Sequence, residues 1–384
     1  MTQLVLCNAR LVLDDRILHG TLAVAGGRID AIDSGNTGVS GAVDLEGDYL
    51  MPGLVEIHTD NLERHLMPRP KVNWAEMPAL IAHDNEIVGA GITTVLDALG
   101  VGEADPDSLR GSAWDTLVRC VDECDRHGML RAEHLLHVRC ELPAPNAVEL
   151  FAPFRAHPRV RMISLMDHTP GQRQWTNIEK ARTYFVGKKG WSDARFATAV
   201  QSGPDLQTRY VRPHRAHFVD YARSRGISLA SHDDTTAAHV EEAHAEGARI
   251  SEFPTTAAAA QTARRLGLQT VMGGPNVMRG GSHSDNVAAS DLARAGLLDI
   301  LSSDYVPGSL LGSAFALHRQ HEVALPRALA MVSRNPAEAV GLTDRGRLAP
   351  SLRADLIQVR PLALPDGTVQ PVVRAVWREG RRVA

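Results

Sequence analysis

The middle of the chain repeats a pattern in which an amphipathic segment ends at a glycine and a short apolar run follows. Glycine just past a helix is the usual left-handed cap, so each amphipathic segment is predicted to be a helix that ends there. The apolar runs have the length of buried strands. Strands that alternate with helices indicate a parallel sheet. The strands predicted in this way span 93–97, 134–140, 227–230, 249–251, 269–272 and 298–301.

Two further apolar runs, at 54–57 and 160–165, bring the predicted sheet to about eight strands, which indicates a (β/α)8 TIM barrel. A doubly wound open sheet is the main structural alternative. The segment 169–212 departs from the pattern because it is too long for a plain connection. We expect it to fold over the ends of the strands as a partly ordered lid.

Both ends of the chain carry short strand-like runs separated by glycine, asparagine and aspartate. Gly26 and Gly27 lie between two such runs, which is typical of a β-hairpin. Neither end has enough apolar strand surface to fold alone. We therefore expect residues 1–52 and 343–384 to pair into one small β-sandwich beside a barrel formed by residues 53–342.

Composition narrows the class of protein. Hydrophobic residues make up 44% of the 384 residues, which allows a sizeable core and argues against disorder. The formal net charge of −4 argues against a nucleic-acid partner. The N-terminus has no basic stretch followed by a long apolar run, and no run approaches membrane-spanning length. The four cysteines include no CxxC pair, so we expect a cytoplasmic protein without a membrane partner.

Histidines and carboxylates recur where the predicted strands end. His58 and Asp60 are two residues apart after the first barrel strand, so on an extended backbone their side chains face the same side. An imidazole beside a carboxylate suits a divalent metal, and the carboxyl ends of barrel strands face one cavity. Asp233 and Asp234 are equally well explained as caps of the next helix. The other polar residues at strand ends include Glu141, Asp167, His168, His232, Glu252, Asn276 and Asp304.

The chain resembles the amidohydrolase superfamily of metal-dependent hydrolases over essentially its whole length. The N-terminal strands, the run 47–53 and His58 are similar to that superfamily's entry into its barrel. Asp304 is similar to its metal-binding carboxylate on the last strand, and 334–342 with 354–356 are similar to its exit from the barrel. The resemblance implies a hydrolase with a metal at the carboxyl ends of the strands.

Within that superfamily, the chain resembles the subgroup that hydrolyses ribosyl methylphosphonate triphosphates in phosphonate catabolism. The matching segments are 58–63, 67–70, 165–172, 231–235 and 274–284. The resemblance implies a phosphorylated sugar substrate, cleaved to its 5-phosphate and pyrophosphate. The alternatives are an enzyme for C–N bonds, such as a deacetylase or cyclic amide hydrolase, and a metal-poor relative without catalysis. Assembly into a homo-oligomer is left open.

Many members of the superfamily bridge two metals with a carboxylated lysine, but no lysine here ends a predicted strand. Glu141 is the best remaining carboxylate for that bridge. The expected metal is zinc, with manganese, iron or magnesium as alternatives, and one or two ions. Asp304 is also expected to be the general base that accepts a proton from the attacking water. The ligands that the resemblance implies are His58, Asp60, Glu141, His168, His232 and Asp304.

The segment 276–286 is the candidate substrate site. Gly280 and Gly281 allow backbone N–H groups to turn inward, and such a nest binds anions. A flexible Gly/Ser loop is the other interpretation of the same residues. With the resemblance, the residues expected to bind the substrate are Gln172, Asn276, Arg279, Ser282, His283 and Ser284.

Overall fold

The chain forms two separate sheets in a computed structural model that describes residues 4–69, 72–102, 110–188, 190–282 and 286–384. The strands are β1 (Leu4–Val12), β2 (Ile17–Ala25), β3 (Arg28–Ser34), β4 (Val43–Asp44), β5 (Tyr49–Pro52), β6 (Leu54–Thr59), β7 (Ile92–Val101), β8 (Glu133–Glu141), β9 (Val160–Met166), β10 (Ser228–His232), β11 (Ile250–Glu252), β12 (Gln269–Gly273), β13 (Ile300–Ser302), β14 (Leu356–Ala363), β15 (Val369–Arg378) and β16 (Arg381–Arg382).

Helices lie between most of the successive strands of the larger sheet. Within the ranges described, none of them is both long and apolar enough to cross a membrane. The helices are α1 (Asn61–Leu66), α2 (Glu76–Gly89), α3 (Arg110–Arg126), α4 (Ala147–Leu150), α5 (Ile178–Arg182), α6 (Asp193–Leu206), α7 (Arg212–Arg225), α8 (Ala237–Ala245), α9 (Ala257–Leu266), α10 (Gly274–Met278), α11 (Ala289–Arg294), α12 (Ser309–Gln320), α13 (Leu325–Ala330) and α14 (Arg334–Ala339).

The larger sheet is a nearly closed parallel barrel. Strands β6 to β13 pair in chain order, and an isolated parallel bridge joins Thr59 of the first strand to Asp304, two residues after the last strand. The predicted barrel is thereby confirmed, and the alternative of an open sheet is wrong. One buried apolar cluster takes a side chain from every strand, as a filled barrel interior requires. Its members on the strands are Val55, Ile57, Leu96, Leu135, Met162, Ala230, Ile250, Val271 and Ile300.

The smaller sheet combines both ends of the chain, as the sequence predicts. Its order is β16-β15-β14-β5-β1-β2-β3, with β4 beside β1. The C-terminal strand β14 pairs antiparallel with β5, which leads directly into the barrel. A buried apolar cluster joins the two ends, with Leu11 and Leu22 from the first and Leu356 and Trp377 from the second. The hydrogen bonds continue through all of these strands in one sheet.

A buried ion cluster fastens the C-terminal segment to the barrel. Both Arg345 Nη1 and Arg353 Nη1 lie 2.5 Å from Glu133 Oε2, at the start of β8. Burial raises the pKa of Glu133, but the two guanidinium groups outweigh it and lower the pKa to about 2. Thr94 Oγ1 accepts a further hydrogen bond from Arg345. The ionised carboxylate therefore stabilises the contact between the two sheets.

Replacing Glu133 with glutamine is expected to lower the free energy of unfolding by about 3 kcal/mol at neutral pH, because two buried guanidinium groups lose the carboxylate that they share and keep only their second partners, Asp344 and Asp355. The carboxylate has a lower pKa in the folded state than its ordinary 4.5. Its contribution is therefore complete above pH 4.5 and is lost as the pH falls towards 2. Urea unfolding of both proteins at pH values from 7 to 3 should show that their difference in the free energy of unfolding becomes smaller as the pH falls.

The control is Glu379→Gln, whose carboxylate is 57% exposed and 3.9 Å from Arg353. It should change the free energy of unfolding by less than about 0.5 kcal/mol. An equal loss in both variants would contradict the assignment.

The insertion 169–212 has a small apolar core of its own. Trp175, Ala181 and Phe196 are buried there, with further aromatic side chains packed around them. Between α5 and α6 and again after α6 the backbone forms π-helical segments, Thr183–Lys188 and Gln207–Val211. Gln207 Nε2 donates to Asp167 Oδ2 at 2.6 Å and so ties the insertion to the end of β9. Its function as a lid stays a prediction.

Candidate metal centre

One buried carboxylate orders two of the predicted ligands. Glu252, the last residue of β11, accepts a hydrogen bond from His58 Nδ1 at 2.6 Å and another from His232 Nδ1 at 2.7 Å. Burial raises the pKa of Glu252, but the facing imidazoles and their hydrogen bonds hold it well below its usual value. An ionised carboxylate accepts the hydrogen bond from Nδ1–H of each ring, so Nε2 is the nitrogen left to bind a metal. This is how metal-binding histidines are commonly held.

The third predicted imidazole is held in the same way. Glu141 Oε2 accepts from His168 Nδ1 at 2.6 Å, and Oε1 accepts from the backbone N–H of His168 at 2.8 Å. Burial lowers the pKa of His168, but Glu141 raises it above the usual value. Both oxygens of Glu141 are therefore used on His168. Its expected place as a bridging ligand stays a prediction, and the geometry favours an orienting role.

The residue after His232 adds an unpaired carboxylate oxygen. Asp233 Oδ2 is buried without a hydrogen-bond partner, 3.6 Å from His232 Nε2 and 3.8 Å from His168 Nε2. A buried carboxylate oxygen without a hydrogen bond is costly. Two ring nitrogens and one carboxylate oxygen that converge in this way suit a divalent cation. The residues at this position therefore fit a metal.

A second group of potential ligands lies where the barrel closes. His58, Asp60 and Asp304 offer atoms within 4.8 Å of one another. The backbone N–H of Asp304 donates to His58 O at 3.1 Å, and Asp304 O accepts from the N–H of Asp60 at 2.9 Å. Arg139 Nη1 on β8 donates to Asp60 Oδ1 at 2.6 Å. The hydrogen bonds that close the barrel thus also fix the positions of these three residues.

The two groups adjoin. The rings of His58 and His232 are stacked with centroids 6.0 Å apart. Phe253 packs against both rings, at 4.8 Å from His58 and 5.6 Å from His232. The predicted ligands from the first, fourth, fifth and last barrel strands therefore lie around one centre, while the number of ions stays open.

The backbone takes a left-handed turn at three of these strand ends. Asp233, Phe253 and Asp304 have φ of 53°, 55° and 53°. Residues other than glycine rarely adopt this conformation, and it concentrates at functional sites. Each of the three donates its backbone N–H to the neighbouring strand, to Glu252, Val271 and His58 respectively. The hydrogen bonds between neighbouring strands therefore continue up to the residue at which the backbone turns away from the sheet.

The interpretation of Asp233 and Asp234 as helix caps is wrong. Helix α8 is capped by Thr236, whose side chain accepts from the N–H of His239. Asp234 is buried instead and accepts from Arg173 Nη1 at 2.9 Å and from Ser251 Oγ at 2.8 Å. The same Arg173 nitrogen donates to His232 O at 3.0 Å. The start of the insertion is thereby fastened to the end of β10, where His232 lies, and to the residues that follow it.

The segment predicted to bind substrate begins as a helix. Residues up to Met278 belong to α10, so the predicted loop 276–286 starts later than expected. Asn276 Oδ1 accepts a hydrogen bond from the N–H of Ala289 at 2.9 Å, which fixes the two ends of the segment together. Arg279 is exposed directly after the helix.

The remaining predicted substrate residues lie on two segments. Gln172 is half-buried just before the turn Arg173–Trp175 of the insertion, and Ser282 is half-buried after β12. His283 and Ser284 lie outside the described residues. Both segments follow barrel strands at their carboxyl ends, so they belong to the same face of the barrel as the metal centre.

Several residues of the centre were not predicted from the sequence. Glu252 follows the predicted strand 249–251, as the predicted ligands follow theirs, but the sequence does not indicate that it is the partner of two histidines. Glu56 lies within a strand and accepts from the N–H groups of His58 and Ser303 at 2.6 and 2.5 Å. A glutamate inside an apolar strand was the available signal for it. Arg139 lies within the predicted strand 134–140, and nothing in its local sequence indicates that it is the partner of Asp60.

Comparison with known proteins gives a matching family and a relative that aligns over the full length of both chains. The profile of the amidohydrolase family matches residues 184–384. The alpha-D-ribose 1-methylphosphonate 5-triphosphate diphosphatase of Escherichia coli (strain K12) is 43% identical over 382 residues, which cover 99% of this chain and 100% of that protein. The adenine deaminase of Desulfatibacillum aliphaticivorans is 27% identical over 96% of this chain and 57% of its own length.

Solved structures share the fold at low identity. N-isopropylammelide isopropylaminohydrolase from Burkholderia multivorans superposes with a TM-score of 0.64 at 17% identity, over 100% of this chain and 98% of that one. The 5-methylcytosine deaminase from Klebsiella pneumoniae superposes with a TM-score of 0.63 at 17% identity, over 99% and 98%. At this identity the comparison bears on the architecture alone.

Proposed function

Because this chain belongs to the amidohydrolase family, we propose that it is a metal-dependent hydrolase of an acid anhydride. The substrate is alpha-D-ribose 1-methylphosphonate 5-triphosphate or a close analogue, cleaved to the 5-phosphate and pyrophosphate in phosphonate catabolism. The observation that carries this proposal is the identity of 43% to the Escherichia coli diphosphatase along the full length of both chains. The cluster of histidines and carboxylates at the barrel mouth supports it.

The proposed cation is divalent, with zinc favoured because imidazole and carboxylate together form its usual ligand set. Three imidazoles offer Nε2, and Asp233 offers a buried oxygen without a hydrogen-bond partner. Glu141 is proposed to orient His168, since both its oxygens already accept from that residue. The proposed ligands are His58, Asp60, His168, His232, Asp233 and Asp304.

When bound, such a cation stabilises negative charge on phosphate oxygens and lowers the pKa of a water ligand. The chain supplies the remaining chemistry. Asp304 is proposed as the general base, because its carboxylate lies beside the atoms of His58 and Asp60 at the centre. Glu252 keeps the Nδ1 protons of His58 and His232 in place, so that neither ring can turn its protonated nitrogen to the centre.

The triphosphate requires cationic and N–H partners. Arg279, Ser282 and Gln172 are proposed to bind it, since they lie on the two segments that follow β9 and β12 on the face of the metal centre. Such groups would neutralise the leaving pyrophosphate. The insertion 169–212 is proposed to cover the bound substrate, because Arg173 and Gln207 join it to the loops beside the ligands.

The proposed activity can be tested by phosphorus NMR. The purified protein loaded with zinc should convert the ribosyl methylphosphonate triphosphate into two products, inorganic pyrophosphate and the 5-phosphate. Treatment with a chelator should abolish the conversion while the far-UV circular dichroism stays unchanged, and zinc or manganese should restore it. Release of single orthophosphates, or no conversion by the metal-loaded protein, would contradict the proposal.

A hydrolase for C–N bonds is the rival function, because the barrel and its metal chemistry serve both. A parallel assay with an N-acetylated sugar phosphate and a cyclic amide separates the two. We expect no turnover of either compound. Turnover of an amide at a higher kcat/KM than the triphosphate would favour the rival.

A further inference from the structure

A second cluster of buried titratable groups lies outside the metal centre, between helix α2 and strands β7 and β8. His83, Asp97 and His134 are each at most 1% exposed, and their ligand-type atoms lie within 4.8 Å of one another. Asp97 Oδ1 accepts from His83 Nε2 at 2.8 Å, and Oδ2 accepts from His134 Nδ1 at 2.8 Å. One carboxylate therefore joins two imidazoles from different elements.

His134 connects the cluster back to helix α2, which also carries His83. His134 Nε2 lies 3.3 Å from Asp84 Oδ1, and Asp84 also accepts from the backbone N–H groups of Arg131 and Ala132. His83 and Asp84 are neighbours on α2, so the network fastens this helix to both strands. Burial lowers the pKa of His134, but Asp97 and Asp84 outweigh it and raise the pKa to about 9.

The hydrogen bonds in this cluster leave no place for an ion. Both nitrogens of His83 and His134, and both oxygens of Asp97, already have partners. At the metal centre, by contrast, Asp233 Oδ2 is buried and unpaired. Both clusters contain histidines and carboxylates, but only the first has a ligand-type oxygen without a hydrogen bond. The second cluster is fully hydrogen-bonded and needs no metal.

The cluster approaches the metal centre at Asn61. Asn61 is 1% exposed and follows Asp60 directly. Its Nδ2 lies 3.0 Å from His83 Nδ1 and 3.0 Å from Glu86 Oε2. Because Asn61 Nδ2 is a donor, His83 accepts at Nδ1. The proton of the neutral ring is therefore on Nε2, which donates a hydrogen bond to Asp97. Burial, the largest influence, lowers the pKa of His83 in agreement with this neutral form.

The side-chain oxygen of Asn61 indicates that this residue positions its neighbours and does not serve mainly to stabilise the fold. Its Oδ1 is buried without a hydrogen-bond partner, which costs stability rather than adding to it. Asp60 lies at the junction between β6 and α1, and its side chain makes no capping bond to that helix. A displacement of about 1 Å at such a position is enough to weaken a metal site or to slow its reaction.

We propose that Asn61, His83, Asp97 and His134 form a hydrogen-bonded brace that holds Asp60 in position at the metal centre. The inference rests on the proposed function, since it assumes that Asp60 contacts the cation. The brace members are positioning residues: none of them touches the substrate. Strand β8 supports Asp60 twice, directly through Arg139 and indirectly through His134 at the far end of the brace.

The test removes the link and measures metal binding rather than activity alone. Asn61→Leu keeps the size of the side chain and removes the unpaired oxygen together with the donor to His83. The zinc dissociation constant is measured by competition with a chelator of known affinity, well below the unfolding temperature. We expect zinc affinity to fall about 10- to 100-fold, as for other residues that orient metal ligands, with a nearly unchanged thermal midpoint.

A second variant tests whether the members act as one unit. Asp97→Asn should weaken zinc binding in the same direction, and in combination with Asn61→Leu it should add little to the loss. If Asp97→Asn fails to fold, Asn61→Leu alone decides. Ser228→Ala is the matched control, because it removes one hydrogen bond, from Ser228 Oγ to Ala339 O at 2.7 Å, at the opposite end of a barrel strand. It should leave zinc affinity unchanged.

The outcomes distinguish the brace from the function on which it rests. A wild-type protein that binds no zinc and hydrolyses nothing would end the proposed function. Wild-type zinc binding that Asn61→Leu preserves within twofold would leave that function standing and overturn the brace. An equal loss of affinity in the Ser228→Ala control would also overturn it, because the effect would then be general.

Discussion

Replacing Asp304 with asparagine is expected to lower kcat about a thousandfold while the fold is retained. An amide cannot accept the proton that the proposed general base removes, and a positioned base contributes about 10²- to 10⁴-fold. Asparagine tolerates the left-handed backbone at this position, where φ is 53°. The bonds that close the barrel use the backbone of Asp304 and do not depend on its carboxylate. Pyrophosphate release and far-UV circular dichroism measure the two effects.

Metal content separates the two roles proposed for Asp304. A variant that keeps its zinc but lacks turnover supports the role as base, whereas loss of zinc supports the role as ligand. The control is Glu322→Gln, which makes the same carboxylate-to-amide change at an exposed residue with φ of 59°. It should keep wild-type kcat. More than a tenth of wild-type kcat in Asp304→Asn would show that this carboxylate is not the base.

Replacing Glu252 with glutamine is expected to disturb metal binding and stability together. The carboxylate is fully buried and accepts from His58, His232 and Ser164, and an amide nitrogen in its place would face at least one of these donors. We expect a loss of about 3 kcal/mol in the free energy of unfolding. Zinc affinity should fall by a factor of about 100, because at least one of the two rings loses the acceptor that fixes its orientation.

Urea unfolding of the metal-free protein measures the first effect, and metal analysis after dialysis measures the second. Glu241→Gln serves as the control, since its carboxylate is 53% exposed and pairs with Arg265 on the surface. That change should be close to neutral in both measurements. Full zinc occupancy in Glu252→Gln would mean that the two histidines do not depend on this carboxylate.

The barrel could be predicted because its signals are local. Glycine caps such as Gly226 and Gly267, with φ of 62° and 79°, end helices at the predicted places, and apolar runs follow them. The bounds of the strands are less well predicted: the last barrel strand is expected at 298–301 and is observed at Ile300–Ser302. The hydrogen bonds with neighbouring strands decide such bounds, and they are not visible in one segment of sequence.

The centre could be predicted in its location but only partly in its roles. The strand-end rule brings His58, His168 and His232 to one place, because all carboxyl ends of a barrel share one face. It cannot tell a ligand from a carboxylate that orients one, since either can end a strand as Glu141 and Glu252 do. That distinction depends on which atom faces which partner. The sequence does not predict the brace around His83, because its members come from two helices and two strands and only the fold brings them together.

The bridge between Thr59 and Asp304 joins residues 245 positions apart in the sequence. A chain that leaves the ribosome with its N-terminus first therefore exposes His58 and Asp60 long before Asp304 has been synthesised. Contacts of such long range form late in folding, because most of the chain between them must already be compact. Nascent or truncated chains that end before the last barrel strand thus hold only part of the proposed ligand set, and we expect capture of the proposed metal to depend on completion of the ring.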